Sequence, residues 1–286
     1  MKTKIRVCQT DCTLANFQEN LERHLVLIEQ AIAEGIEFIV FPELSLSGYN
    51  VQDAAQDIAL PISDEKFDPL RKASHQISIL CGGIELSEHY GVYNSAFFFE
   101  DGKSETVHRK IYLPTYGMFE ELRYFSAGKQ VQPFHSKRLG KIGVAICEDN
   151  WHVSVPYLLA AQGIKVLFMM VASPLRIDMR SGELRIAETW QMMARTYATL
   201  FSMFTVFANR IGNEDGLSYW GGSEVISPDG ETLAKAPNFQ STHIDAFIDF
   251  AMVKRARLRS SHFLDEDFSF CRDELNRIID QKTHLG

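Results

Sequence analysis

Three reactive side chains each lie where an apolar, strand-like segment of the sequence ends. Glu43 follows the segment 36–41 and Pro42, Lys110 lies within 106–112, and Cys147 follows 142–146. Strand ends hold side chains rigidly at the edge of a sheet, where they point into a crevice. The three residues supply a carboxylate, an ammonium and a thiol. These are the groups that nucleophilic catalysis by cysteine needs as base, cation and nucleophile.

Each of these residues, taken singly, also has a structural interpretation. Cys147 fits a small buried core position, which is the usual place of a free cysteine, and Glu43 fits an exposed loop. Lys110 fits a solvated basic strand end. A free thiol is mostly protonated at neutral pH, and the neighbouring Glu148 and Asp149 would raise its pKa further. A catalytic Cys147 therefore needs its base and its cation from distant parts of the chain.

Apolar β-rich segments alternate with amphipathic helical segments, which is typical of an α/β fold. Segment 5–9 is predicted to be a strand. A helix is predicted between Asn16 and Gly35, and Asn16 forms a capping pattern with the glutamate three residues later. Residues 166–171 are apolar throughout, which indicates a sheet that is covered on both faces.

Two later helices are predicted over 155–162 and over 183–201, the second with Leu200 on its apolar face. Asp101-Gly102 predicts a tight hairpin turn. The sequence has no Pro/Ser-rich linker, low-complexity tract or internal repeat. We therefore expect one domain over 1–286, with a core at about 4–250 and a charged C-terminal tail at 251–286.

Charge and cysteine usage exclude several classes of protein. The 29 Lys and Arg against 37 Asp and Glu give a net charge of −8 without a basic stripe, so nucleic acid and anionic membranes are not expected partners. The five cysteines are scattered and form no Cys-x-x-Cys pair, which argues against disulfides and zinc. The sequence contains no His-Glu-x-x-His motif, no secretory signal and no apolar run near 18 residues. We expect a cytoplasmic protein without metal or cofactor.

Four ordered motifs resemble the carbon–nitrogen hydrolase (nitrilase) superfamily over about residues 4–250. They are Phe-Pro-Glu-Leu-x-Leu-x-Gly-Tyr at 41–49, His-Arg-Lys-x-Tyr-Leu-Pro at 108–114, Gly-Val-x-Ile-Cys-Glu-Asp at 143–149, and the glycine-rich segment 207–223. The resemblance implies a four-layer α-β-β-α sandwich of the nitrilase type. It also implies a homodimer, or a higher homo-oligomer, that packs through the helices near the cysteine.

The resemblance assigns roles to residues of this chain. Glu43 matches the general base, Lys110 the lysine and Cys147 the nucleophile. A second glutamate that positions the substrate matches Glu121 better than Glu120. The predicted substrate-binding residues are Tyr116, Glu148, Trp151 and Pro174, although Trp151 also fits an aromatic core position.

The expected reaction is hydrolysis of a small amide or carbamoyl compound through a thioester on Cys147. Lys110 and the backbone N–H of Glu148 would hold the oxyanion. Nitrile hydrolysis is the less favoured reaction. Arg176 and Arg180 fit either a site for a substrate carboxylate or the surface.

Segments 147–151 and 113–117 are most similar to the glutaminase domain of glutamine-dependent NAD synthetases. The chain ends near where that domain would end, so the sequence predicts a free-standing amidase. The alternative is an ammonia-supplying subunit or a partner protein with little catalysis of its own.

Overall fold

The computed structural model describes residues 2–176, 184–260 and 262–283, and it contains two six-stranded sheets. The first sheet has the order β14-β1-β2-β3-β4-β5, and the second has the order β13-β12-β9-β8-β7-β6. Strands β10 and β11 form a separate hairpin. The strands are β1 Lys2–Gln9, β2 Phe38–Val40, β3 Ser78–Leu86, β4 Val92–Glu100, β5 Lys103–Arg109, β6 Phe134–Ser136, β7 Gly140–Ile146, β8 Val166–Val171, β9 Phe204–Asn209, β10 Ile211–Glu214, β11 Leu217–Trp220, β12 Glu224–Ile226, β13 Thr232–Lys235 and β14 Thr242–Asp249.

Helices cover the outer face of each sheet, and in each sheet the central strands run parallel. The helices are α1 Phe17–Ala33, α2 Ala55–Ile58, α3 Asp68–Ala73, α4 Glu121–Tyr124, α5 Ser154–Ala161, α6 Arg185–Phe201, α7 Phe250–Arg259 and α8 Phe268–Thr283.

Three apolar layers hold the sandwich together. The inner layer lies between the two sheets, where Phe38 of the first stacks on Phe168 of the second with ring centroids 4.9 Å apart. A second layer joins α1 and α3 to the first sheet, and a third joins α5 and α6 to the other. Every residue of β8 is buried because the sheet is covered on both faces. The predicted four-layer α-β-β-α architecture is confirmed.

Local signals placed most elements correctly. Asn16 caps α1 by accepting from the Glu19 backbone N–H, and Gly35, with φ of +71°, ends the helix. The predicted strand 106–112 is wrong at its end, because the strand stops at Arg109. The backbone N–H groups of Ile111 and Tyr112 bond to the buried carboxylate of Asp149 instead. Leu200 is also exposed, since α6 buries the face that carries Trp190 and Tyr197.

The segment after residue 250, predicted only as a charged tail, forms α7 and α8. Val253 and Ala256 of α7 are buried, so this helix belongs to the packed body. Among the described residues, no helix combines the length and apolar character needed to cross a bilayer. The cytoplasmic location stays a prediction.

Candidate active site

The carboxylate of Glu43 lies at the end of β2, between the two sheets, and only 1 % of the residue is exposed. Its Oε1 accepts hydrogen bonds from Asn94 Nδ2 and Lys110 Nζ, both at 2.8 Å. Its Oε2 accepts from the backbone N–H of Ala172, also at 2.8 Å. Three donors from three separate segments therefore hold one buried carboxylate in place.

The backbone around Glu43 is tightly confined. Leu44 adopts a left-handed φ of +49°, an uncommon conformation for a residue with a side chain. Gly82 of β3 packs directly against this turn, and a Cβ at residue 82 would lie 2.4 Å from Leu44 N and 2.8 Å from Pro42 O. Only glycine fits this close approach, so β3 determines the position of the carboxylate.

Lys110 follows the last residue of β5, and its side chain is fully buried between two carboxylates. Nζ donates to Glu43 Oε1 at 2.8 Å and to Glu121 Oε1 at 2.7 Å. Burial by itself lowers the pKa of Lys110, but Glu121 and Glu43 outweigh burial and hold this pKa well above its ordinary value. The site therefore contains a permanent buried cation.

Glu121 begins α4 and is 4 % exposed. Its Oε1 accepts from Lys110 Nζ and from Tyr49 Oη, whereas its Oε2 is buried without a partner among the described residues. Burial raises the pKa of Glu121 to about 7, with Lys110 opposing and Glu43 reinforcing the shift. The surroundings of Glu121 therefore favour its protonated form more than water does.

Cys147 begins a short 3₁₀ turn directly after β7, and its backbone φ of +43° is left-handed. Such strain at a non-glycine residue is concentrated at functional sites. The residue is half-buried, whereas Cys8, Cys12 and Cys81 are buried. Burial and the charge of Glu43 raise the pKa of the Cys147 thiol well above its ordinary value, and Lys110 opposes them. The resting sulfur is thus a protonated thiol that needs a base.

Asp149 joins the turn that begins at Cys147 to the segment that carries Lys110, and it is fully buried. One carboxylate oxygen accepts from the backbone N–H groups of Ile111 and Tyr112 at 3.0 Å. The other accepts from Ile146 N at 3.1 Å and lies 2.7 Å from His108 Nε2. One buried carboxylate therefore fixes the distance between the segments that carry Lys110 and Cys147.

A small pocket of about 30 Å³ opens next to Cys147. The predicted substrate-binding residues Tyr116, Glu148, Trp151 and Pro174 all line it. Tyr116 donates its hydroxyl hydrogen to Glu148 Oε2 at 2.9 Å, and Trp151 is 43 % exposed rather than a core residue. The remaining lining residues are Phe119, Ser173, Arg176, Ile186 and Trp190.

The structure brings Glu43, Lys110 and Glu121 into direct contact and places Cys147 within their electrostatic reach. Sequence reasoning missed Tyr49 and Asn94, which hydrogen-bond to these carboxylates. Tyr49 closes the motif at 41–49 and could have been found there, whereas Asn94 lies within β4 without any local signal. Arg176 lines the pocket; Arg180 and Glu183 lie outside the described residues.

One group of possible metal ligands occurs within the described residues, away from this site. It consists of Glu34, His243 and Asp245 near the edge of the first sheet. The buried guanidinium of Arg6 already pairs with Glu34 at 2.6 Å and with Asp245 at 2.8 Å. Arg6 therefore supplies the positive charge that these two carboxylates need.

The family model described as "Carbon-nitrogen hydrolase" matches residues 4–258. A glutamine-dependent NAD(+) synthetase of Acinetobacter baylyi is 30% identical over 263 residues, which cover 92% of this chain and 47% of the synthetase. The chain thus spans about half the length of this relative.

An N-carbamoylputrescine amidase of Arabidopsis thaliana is 25% identical over 253 residues, and the match covers 84% of each protein. Among solved structures, a carbon-nitrogen hydrolase of Helicobacter pylori G27 superposes with a TM-score of 0.83 at 24% identity. That match covers 96% of this chain and 99% of the other, and it supports the fold.

Proposed function

Because the chain belongs to the carbon–nitrogen hydrolase family and is a hydrolase of C–N bonds other than peptide bonds, we propose that it cleaves a small amide or carbamoyl compound through a thioester on Cys147. The observation that carries this proposal is the buried contact of Glu43 with Lys110 at 2.8 Å, beside a half-buried thiol. This contact provides a base and a cation within reach of a nucleophile.

The reaction begins when Glu43 takes the proton of the Cys147 thiol and the sulfur attacks the carbonyl carbon. Negative charge then develops on the carbonyl oxygen, where Lys110 Nζ and the backbone N–H of Glu148 stabilise it. One such preorganised donor contributes about 3 kcal/mol to the lowering of a barrier. The C–N bond breaks, and the leaving amine takes the proton from Glu43.

Hydrolysis of the thioester completes the cycle. Glu43 is now ionised again and removes a proton from water, which attacks the acyl carbon. The C–S bond breaks, the acid leaves, and the proton on Glu43 returns to the sulfur. The buried Glu121 keeps its contact with Lys110 Nζ at 2.7 Å throughout and helps to position the substrate amide.

Two charged residues line the Cys147 pocket and determine which acyl group binds there. Glu148 and Arg176 both line the pocket, which therefore offers one anionic and one cationic contact. The pocket is small, with a volume of about 30 Å³. A compact acyl or carbamoyl group fits this pocket better than a long acyl chain.

Ammonia or amine release from a panel of small amides and ureas tests the proposal. We expect wild type to release product, Cys147→Ala to release none, and the control Cys271→Ala to match wild type, because Cys271 lies on α8. Mass spectrometry of wild type would find an added acyl or carbamoyl mass on Cys147. Equal release by wild type and Cys147→Ala would refute the proposal.

The second candidate function is ammonia supply to a synthetase partner. It is favoured by the similarity to NAD synthetases, of which this chain matches about half. Glutaminase activity that rises when a synthetase is added would support this function. Turnover of ureas or amides other than glutamine without any partner would favour the free-standing amidase.

We also propose that the protein forms a homodimer through α5 and α6. Leu158, Met192 and Leu200 are 45, 62 and 54 % exposed on these two helices. Exposed large apolar side chains on adjoining elements are typical of an interface. Light scattering should give twice the chain mass for wild type and a lower mass for Met192→Glu.

A further inference from the structure

The hairpin of β10 and β11 belongs to neither six-stranded sheet, and its tip is a tight turn. The turn consists of Asp215 and Gly216, whose φ angles are +46° and +81°. Two residues with positive φ match the twist of the two strands that they join. Glu214, the last residue of β10, lies in register with Leu217 of β11. The hairpin therefore determines where Glu214 lies.

Glu214 connects this hairpin to the end of the segment 41–49. The residue is 5 % exposed. Its Oε1 accepts from the backbone N–H of Tyr49 at 2.9 Å and from that of Asn50 at 2.6 Å. Its Oε2 accepts from Arg210 Nη1 at 2.7 Å. A buried carboxylate needs such donors, so three contacts hold these oxygens in one place.

Arg210 is the cation that pairs with this carboxylate. The Arg210 side chain is 1 % exposed, and its guanidinium lies 4.2 Å from the centroid of the Tyr219 ring. Its other carboxylate partner is Asp11 at 3.4 Å, and the Asp11 side chain is 45 % exposed. A buried cation is costly without a close counter-charge. The ion pair therefore fixes Glu214 as well as Arg210.

Gly48 shows how closely Glu214 approaches the backbone of this segment. The φ of Gly48 is +80°, and a Cβ there would lie 2.8 Å from Glu214 Oε2 and 3.0 Å from Leu14 Cα. Both the conformation and the space require glycine. The missing side chain lets the carboxylate reach the N–H groups of the next two residues.

The side chain of Tyr49 extends the connection into the active site. Its Oη donates to Glu121 Oε1, which also accepts from Lys110 Nζ at 2.7 Å. The ring packs edge-on against Phe119 and Tyr219, with centroids 6.3 and 6.4 Å away. Tyr49 is thus held at its backbone by the hairpin and at its hydroxyl by a carboxylate of the candidate active site.

We propose that Glu214 is a positioning residue: it sets the place of the Tyr49 hydroxyl, and this hydroxyl orients Glu121. The inference rests on the function proposed above, in which Glu121 helps to position the substrate. Among the described residues, no hydrogen bond or ion pair joins Glu214 directly to Glu121, Lys110 or Cys147. Glu214 therefore reaches the reacting groups through Tyr49. Without the hydroxyl, Glu121 Oε1 loses one of its two donors, and the carboxylate is less firmly oriented.

Glu214→Gln and Tyr49→Phe test this connection singly and together. A glutamine has one accepting oxygen, so either Arg210 or the two backbone N–H groups lose their acceptor. Tyr49→Phe removes only the hydroxyl and keeps the N–H that donates to Glu214. On the amide or urea that wild type hydrolyses fastest, each single variant should lower kcat/KM about tenfold. The double variant should stay within about twofold of Tyr49→Phe, whereas independent effects would multiply to about a hundredfold.

The pH profile of kcat/KM distinguishes positioning from a general loss of stability. Burial raises the pKa of Glu121, and the Tyr49 hydroxyl is one of the groups that oppose burial. Lys110 and Glu43 also face this carboxyl group. Loss of the hydroxyl contact should therefore move the limb of the profile that Glu121 causes to higher pH, in Glu214→Gln as in Tyr49→Phe.

The matched control is Glu224→Gln, which changes another buried glutamate, 2 % exposed on β12. Glu224 accepts from Thr232 at 3.3 Å and lies 3.6 Å from Lys235 Nζ. This variant should lower stability but leave kcat/KM and its pH profile unchanged. If Glu214→Gln does not fold, Glu214→Asp replaces it, because the shorter side chain keeps the charge beside Arg210 and draws back from the backbone N–H groups.

The outcomes separate the two proposals. Single effects that multiply in the double variant, or a Glu214 variant with the kcat/KM of wild type, would overturn the positioning role and leave the hydrolase reaction in place. If wild type hydrolyses no amide or urea, the hydrolase proposal fails. The rate of Cys147 alkylation by iodoacetamide, followed by mass spectrometry, then replaces kcat/KM in the same comparison. Equal changes in both single variants and the double variant support the connection, and multiplying changes or an unchanged rate in Tyr49→Phe overturn it.

Discussion

Replacing Asp149 with asparagine should both destabilise the protein and inactivate it. The Asp149 carboxylate is fully buried. It accepts hydrogen bonds from the backbone N–H groups of Ile111, Tyr112 and Ile146 and lies in hydrogen-bond contact with the His108 ring, all within 3.1 Å. An asparagine of the same shape keeps one accepting oxygen and replaces the other with an amino group. His108 can take the tautomer that accepts from this group, but the N–H of Ile146 cannot.

The size of the effect follows from these contacts. Hydrogen bonds to a charged group contribute about 1.5–3 kcal/mol each, and an unsatisfied buried donor costs about 1–3 kcal/mol. We therefore expect Asp149→Asn to lower the free energy of unfolding by about 3 kcal/mol in urea titrations. Because Ile146 directly precedes Cys147, kcat should fall at least about a hundredfold.

The matched control is Asp57→Asn, which changes an exposed aspartate of α2 in the same way. It should alter the free energy of unfolding by less than about 0.5 kcal/mol. An Asp149→Asn protein whose free energy of unfolding lies within about 1 kcal/mol of wild type, with unchanged kcat, would refute the view that this carboxylate fixes the segments that carry Lys110 and Cys147.

Three further predictions concern the packing between the two sheets, the turn around Glu43 and the pH dependence that Glu121 causes. Phe168→Ala removes a ring from between the sheets and should cost about 3–5 kcal/mol in chemical denaturation, whereas the exposed Phe270→Ala should cost far less. Gly82→Ala should reduce kcat strongly, since its Cβ would displace the turn around Glu43. In the control Gly163→Ala, the new Cβ has no atom within 4 Å, so kcat should be retained although the φ of +83° lowers stability. The folded pKa of Glu121, about 7, lies above its unfolded value. Its contribution to stability is therefore complete below about pH 4.5 and is lost as pH rises through 7. In denaturant titrations at several pH values, the free energy of unfolding of wild type should fall by about 2–3 kcal/mol over this range. The Glu121→Gln protein should not show this fall.

The sequence alone was sufficient for the fold class and for the main candidate residues. Regular apolar segments determine which strands are buried, and Asn16 and Gly35 mark the ends of α1, because both signals act within a few residues. Motifs at strand ends likewise pointed to Glu43, Lys110 and Cys147. Their catalytic roles remain proposals that the Cys147→Ala experiment tests.

Only the tertiary structure decided how these residues meet. Asn94 reaches Glu43 from β4, two strands away from β2 in the sheet and 51 residues away in sequence. Asp149 likewise binds Tyr112, which lies 37 residues away in sequence. The contacts of Glu121 with Lys110 and Tyr49 come together in the same way. No local pattern encodes such contacts, because burial and charge at a site are set by every chain segment that packs around it.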